Sequence, residues 1–158
     1  MTQASTVIIG IGNRYRGDDA LGCIVAAELG SMSLPGVRCI EHDGEPAALI
    51  ESWQGVEQVV LIDAVSSGAA AGTVRHFDLA KQALPEEFNL YSTHAFGVPQ
   101  AVELARALDK LPPQIAFVGV EGECFDAGVE LSAAVRQAKD IVIAEILNSL
   151  SLGMGTHA

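Results

Sequence analysis

Basic residues are scarce in this chain: 9 Lys and Arg stand against 20 Asp and Glu in 158 residues, a formal net charge of −11. That sign is wrong for a surface that neutralises phosphates or anionic lipid, so nucleic acid and membrane surfaces are not expected partners. Cysteine is sparse as well. Cys23, Cys39 and Cys124 are odd in number, far apart and without a C-x-x-C pair, which argues against a disulfide framework or a zinc ribbon. Their expected role is that of small buried residues in a reduced, cytoplasmic protein. Long apolar runs are missing too, since charged residues interrupt every stretch short of the roughly 20 residues that span a bilayer. The opening Met1-Thr2-Gln3-Ala4-Ser5 lacks a basic leader region. With no internal repeat, linker or low-complexity segment, one domain over residues 1–150 is expected, followed by a flexible tail at 151–158.

What is present is hydrophobic patterning, and 49% hydrophobic residues suffice for one sizeable core. Val7 to Ile9, Val59 to Ile62 and Ile115 to Val120 are near-continuous apolar runs, suited to parallel strands covered on both faces. Val37 to Glu41 mixes polar and apolar positions, as expected of a strand near an edge. Amphipathic helices are predicted over Ala20 to Leu29, Ala47 to Trp53, Val98 to Leu108 and Ser132 to Leu150, the last with Ser132 as N-cap. The Val65 to Gly72 connection is too short for a parallel crossover, so Thr73 to Leu79 should pair antiparallel at an edge. The predicted fold is a three-layer α/β sandwich: a mostly parallel five-stranded sheet with one antiparallel edge strand and helices on both faces.

In such sheets the ligand site lies in loops at the carboxyl ends of the strands. Acidic groups gather there: Asp18 and Asp19 after the first strand, His42-Asp43-Gly44-Glu45 after the second, Asp63 after the third, Glu121 and Glu123 after the last. The Gly10-Ile11-Gly12 loop fails both nucleotide templates, with Tyr15 where a third glycine belongs and Asp18-Asp19 where a P-loop needs Lys-Ser/Thr. One of the two aspartates is expected to cap the following helix, leaving the other for metal or catalytic work. Asp63 meets the functional rim at the end of a buried strand, where it either initiates a turn or needs a cation or hydrogen-bonding partner. His94 lies just before the Val98-Pro99 helix start, and His42 is a further polar group near the rim. Two carboxylates and one imidazole from separate loops could bind a first-row divalent metal with positions left open.

Ile9-Gly10-Ile11-Gly12-Asn13, followed by Arg16-Gly17-Asp18-Asp19-Ala20-Leu21-Gly22, resembles the opening signature of the hydrogenase maturation endopeptidases. Leu61-Ile62-Asp63-Ala64 is similar to that family's second acidic motif and Ser92-Thr93-His94 to its histidine motif. Gly119-Val120-Glu121 and Gly128 to Val135 are similar to its last strand and C-terminal helix entry. The resemblance implies that Asp19, Asp63 and His94 are the catalytic and metal-binding set, and that the metal is nickel carried by the substrate. That substrate would be the precursor of a nickel–iron hydrogenase large subunit, cut by a monomeric enzyme to release its C-terminal extension. Where the family carries an Asp-Gly-Gly-Thr-like loop, this chain has His42-Asp43-Gly44-Glu45-Pro46, so Asp43, Gly44 and Glu45 are assigned to substrate contact. The alternative is a non-catalytic nickel-checking chaperone on the same fold. Serine and cysteine mechanisms are disfavoured, because no Ser or Cys occupies a nucleophile elbow and Cys23 falls inside a predicted helix.

Overall fold

A computed structural model describes residues 5–86 and 97–156, with side chains as far as Ser151. The chain runs β1 (Thr6–Ile11), a 3-10 turn (Gly17–Ala20), α1 (Leu21–Gly30), β2 (Val37–His42), α2 (Pro46–Ser52), β3 (Gln58–Val65), β4 (Val74–Asp78), α3 (Val98–Ala107), β5 (Gln114–Glu121) and α4 (Ala133–Thr156). The described strands form one five-stranded sheet in the order β2-β1-β3-β5-β4. β1 pairs parallel with both β2 and β3, β3 pairs parallel with β5, and β4 runs antiparallel to β5 at the edge. The mixed strand Val37–His42 occupies the other edge, as its half-polar pattern predicts.

Strand alternation divides the core into two halves, one on each face of the sheet. Val7, Ile9, Leu61 and Phe117 pack with Leu49 and Ile50 of α2 and with Val98, Ala101 and Val102 of α3. Ile8, Ile62, Val118 and Val120 pack on the opposite face with Leu21, Val25 and Leu29 of α1 and with Val135, Ala138 and Val142 of α4. Every residue of β1 is buried, which accounts for its unbroken apolar run. No helix of the described residues is long and apolar enough to cross a membrane.

α4 departs from the predicted end. Ile146, Leu147 and Leu150 continue the apolar stripe onto the core, and no proline intervenes, so the helix runs to Thr156 through most of the segment expected to be a tail.

The position of the site follows from topology. After β1 the chain crosses by α1 to β2 on one side; after β2 it crosses by α2, on the opposite face, to β3 on the other side. The crevice between the carboxyl ends of β1 and β3 is therefore the switch point at which doubly wound sheets bind ligands.

Candidate active site

The loop after β1 carries Asp19 to this crevice. Asn13 N–H donates to both the Asp19 carbonyl and the Asp19 carboxylate, each at 3.2 Å, folding the loop back on itself. The side chain is 5% exposed and borders a cleft of about 530 Å³ that is also lined by Arg16, Cys23, Glu41, His42 and Asp43. α1 then lies so close to the strands that Gly10 and Gly22 touch backbone to backbone. A Cβ on Gly22 would meet Ile62 O at 2.4 Å and Ile11 O at 2.6 Å. This contact joins a residue three after Asp19 to the residue just before Asp63, so the two aspartate segments meet at one rim. Asp63 is 3% exposed and has the strand parity of Leu61 and Val65, the face covered by α2 and α3. His94, assigned as the third member, lies outside the described residues; α3 begins four residues after it. Among the described residues no three His, Cys, Asp or Glu side chains assemble a cation site by themselves.

Neither aspartate caps α1 as the sequence suggests: no side-chain cap bond forms at Arg16 or Ala20, the residues that precede the 3-10 turn and the helix. Asp18 instead turns inward. Its carboxylate, fully buried, accepts from Glu123 N at 2.8 Å, Cys124 N at 3.1 Å, Ser132 N at 2.7 Å and Ser132 Oγ at 2.9 Å. Three backbone donors that would otherwise be orphaned outweigh one helix end as a destination for a buried charge. Ser132, predicted as the cap of the last helix, gives its hydroxyl to this same clasp.

The residues assigned to substrate contact divide. Asp43 borders the cleft with its carboxylate largely in solvent, and its Oδ1 accepts from Glu45 N at 3.0 Å. Gly44 is buried against Ile11, and its N–H donates to His42 Nδ1 at 2.9 Å. That bond makes Nδ1 an acceptor and places the proton of neutral His42 on Nε2, so the 3.6 Å approach of Nδ1 to Asp43 is not an ion pair in this state. Glu45 is the N-cap of α2, both carboxylate oxygens accepting from Ala47 N and Ala48 N at 3.1 and 2.7 Å. The sequence did hold that signal, an acidic residue directly before a proline-led helix.

Arg14 and Glu41 close one side of the cleft through two bonds, Nε to Oε1 at 2.9 Å and Nη2 to Oε2 at 2.6 Å. Cys23 lies beneath, its Sγ facing the Gly10 and Gly12 carbonyls. Burial, followed by the negative charge of Glu41, pushes its thiol up to about 12. It is therefore protonated at neutral pH and unsuited to nucleophilic attack.

Comparison with known proteins identifies the family and the fold. The model of a family described as hydrogenase maturation protease matches residues 25–149, a span containing Asp63 and His94 and beginning just after Asp19. A putative hydrogenase maturation protease of Methanocaldococcus jannaschii is 28% identical over 156 residues, covering 92% of this chain and 99% of that protein. The crystal structure of the [NiFe] hydrogenase maturation protease HycI of Thermococcus kodakarensis superposes with a TM-score of 0.73 at 24% identity, over 94% of each chain. HybD of the same organism, also a [NiFe] hydrogenase maturation protease, gives 0.68 at 26% identity, over 92% of this chain and 97% of the other. The chain belongs to the hydrogenase maturation proteases, endopeptidases that hydrolyse a peptide bond.

Proposed function

We propose that this protease removes the C-terminal extension from the nickel-loaded precursor of a [NiFe] hydrogenase large subunit, and that nickel in the substrate is what it recognises. The observation that carries the reading is that the segments bearing two almost fully buried carboxylates, Asp19 and Asp63, pack against each other at the switch point, with Asp19 lining an open cleft. Carboxylate oxygens, joined by an imidazole such as His94, suit a divalent first-row cation. Burial at the rim also lets the pair act on an incoming cation with little screening by water.

Nickel brought by the precursor would supply Lewis acidity, polarising the scissile carbonyl or activating a water. The chain's own part is positioning. Asn13 N–H holds the Asp19 carboxylate, the Gly22 contact fixes that loop against β3, and the cleft walls exclude bulk solvent from one side. Asp43 lines the cleft from the loop after β2, which would there meet the precursor.

Intact-mass measurement tests this. Wild-type enzyme should shorten a nickel-loaded large-subunit precursor and leave the nickel-free form uncut, while Asp19→Asn and Asp63→Asn abolish cleavage with the fold retained. Equal cutting of loaded and nickel-free precursor would overturn the role of nickel. Normal processing by both variants would overturn the site, and a precursor bound with unchanged mass would mark the chain as a chaperone instead.

A further inference from the structure

A second groove of about 610 Å³ runs beside the Asp19 cleft, between residues 14–24 and the loop 127–131. Tyr15, Ile24, Val129 and Leu131 give it an apolar wall, and Arg14 and Arg136 add charge. Tyr15 and Val129 are 75% and 47% exposed, an unusual concentration of apolar surface in solvent at one concave place. The walls are held in position: Gly128 N–H donates to Tyr15 O at 2.9 Å, Asp18 N–H to Cys124 O at 2.8 Å, and the Asp18 carboxylate pins Glu123, Cys124 and Ser132. Arg14 and Tyr15 line both groove and cleft, so one extended chain can pass from one to the other.

Charge identifies the occupant. In a molecule of net charge −11 with 9 basic residues, Arg14, Arg136 and Lys139 line this groove and Arg16 the adjoining cleft. Arg14 and Lys139 are engaged by Glu41 and Glu28. Arg136 has a loose 3.8 Å approach to the 92% exposed Glu130, and Arg16 has no carboxylate within ion-pair distance among the described residues. Arg136 also donates one N–H to the Leu131 carbonyl at 3.3 Å, so its guanidinium is held only loosely, and it and Arg16 can turn to a carboxylate ligand. We propose that this groove is the subsite for the precursor's C-terminal extension, bound as an extended peptide with an apolar side chain against Tyr15 and Val129 and an acidic group at Arg136 and Arg16. A folded subunit surface is convex, whereas a groove of this size admits a few side chains of an extended strand. The proposal rests on the reading that the scissile bond lies at Asp19 and Asp63.

Two measurements keep the proposal and that reading separable. Methyl NMR of the wild-type protein, titrated with a synthetic peptide of the precursor's extension, needs no catalysis. Shifts at Ile24, Val129 and Leu131 are expected; their absence would overturn the groove. In the cleavage assay, Arg136→Glu and Val129→Asp should each lower kcat/KM roughly fivefold, carried by KM, as expected for an exposed contact. A precursor whose extension has its acidic residues replaced by lysine should restore Arg136→Glu but not Val129→Asp. Unchanged KM in both variants, or no restoration, would overturn the subsite while leaving the cleavage reading intact. Failure of wild type to cut any loaded precursor, with the methyl shifts present, would overturn the cleavage reading instead.

Discussion

Asparagine at position 18 keeps the size of the aspartate but offers one acceptor oxygen where the structure uses two. Asp18 Oδ1 receives Ser132 N, and Oδ2 receives Glu123 N, Cys124 N and Ser132 Oγ. Whichever way the amide is turned, its NH₂ faces backbone donors. Hydrogen bonds to a charged group contribute about 1.5–3 kcal/mol each, so Asp18→Asn should destabilise by about 3 kcal/mol or more, read as a lower denaturant midpoint. The neighbouring Asp19→Asn should leave that midpoint nearly unchanged while activity is lost. Cys23 supports a second test at this scale. Its thiol is raised in the folded protein from an ordinary 9.0 to about 12. Above pH 9 the unfolded chain releases this proton while the native one keeps it, so the unfolded state binds fewer protons and stability falls as pH rises toward 12. Thermal midpoints at pH 8 and pH 10 should diverge more for wild type than for Cys23→Ala.

At the scale of elements, α1 holds two glycines whose replacement should act oppositely. Alanine is favoured over glycine by about 1 kcal/mol inside a helix. At Gly30 the added Cβ would lie 3.5 Å from Cys39 Cβ, ordinary contact, so Gly30→Ala should raise the melting temperature slightly. At Gly22 it would press into the Ile62 and Ile11 backbones. Overpacking costs typically about 1–3 kcal/mol and exceeds the propensity gain, because strands β1 and β3 cannot retreat from a helix they already cover. Gly22→Ala should therefore lower the melting temperature and, by lifting the helix behind Asp19, slow processing. Strands and helices were largely readable in the sequence, since buried β-branched runs and the α4 stripe are local signals. The antiparallel edge at Val74–Asp78 followed from loop length alone. The Gly10–Gly22 contact was not readable, because it depends on how closely two elements approach in space.

For the whole molecule, the doubly wound layering puts the carboxyl ends of four parallel strands at one rim, which is why acidic residues scattered along the sequence could be assigned to one site. The role of Asp18 could not be: it spans 114 residues to Ser132, and nothing at either position announces the other. That long-range clasp has a consequence for synthesis. During translation the strand bearing Asp63 and the loop bearing Asp19 leave the ribosome long before residues 123–132, so the loop next to Asp19 lacks its anchor until the last strand and the start of the last helix have emerged. An incomplete chain would hold both aspartates without the clasp that fixes the loop beside Asp19, so the rim takes its final shape only when the chain is nearly finished.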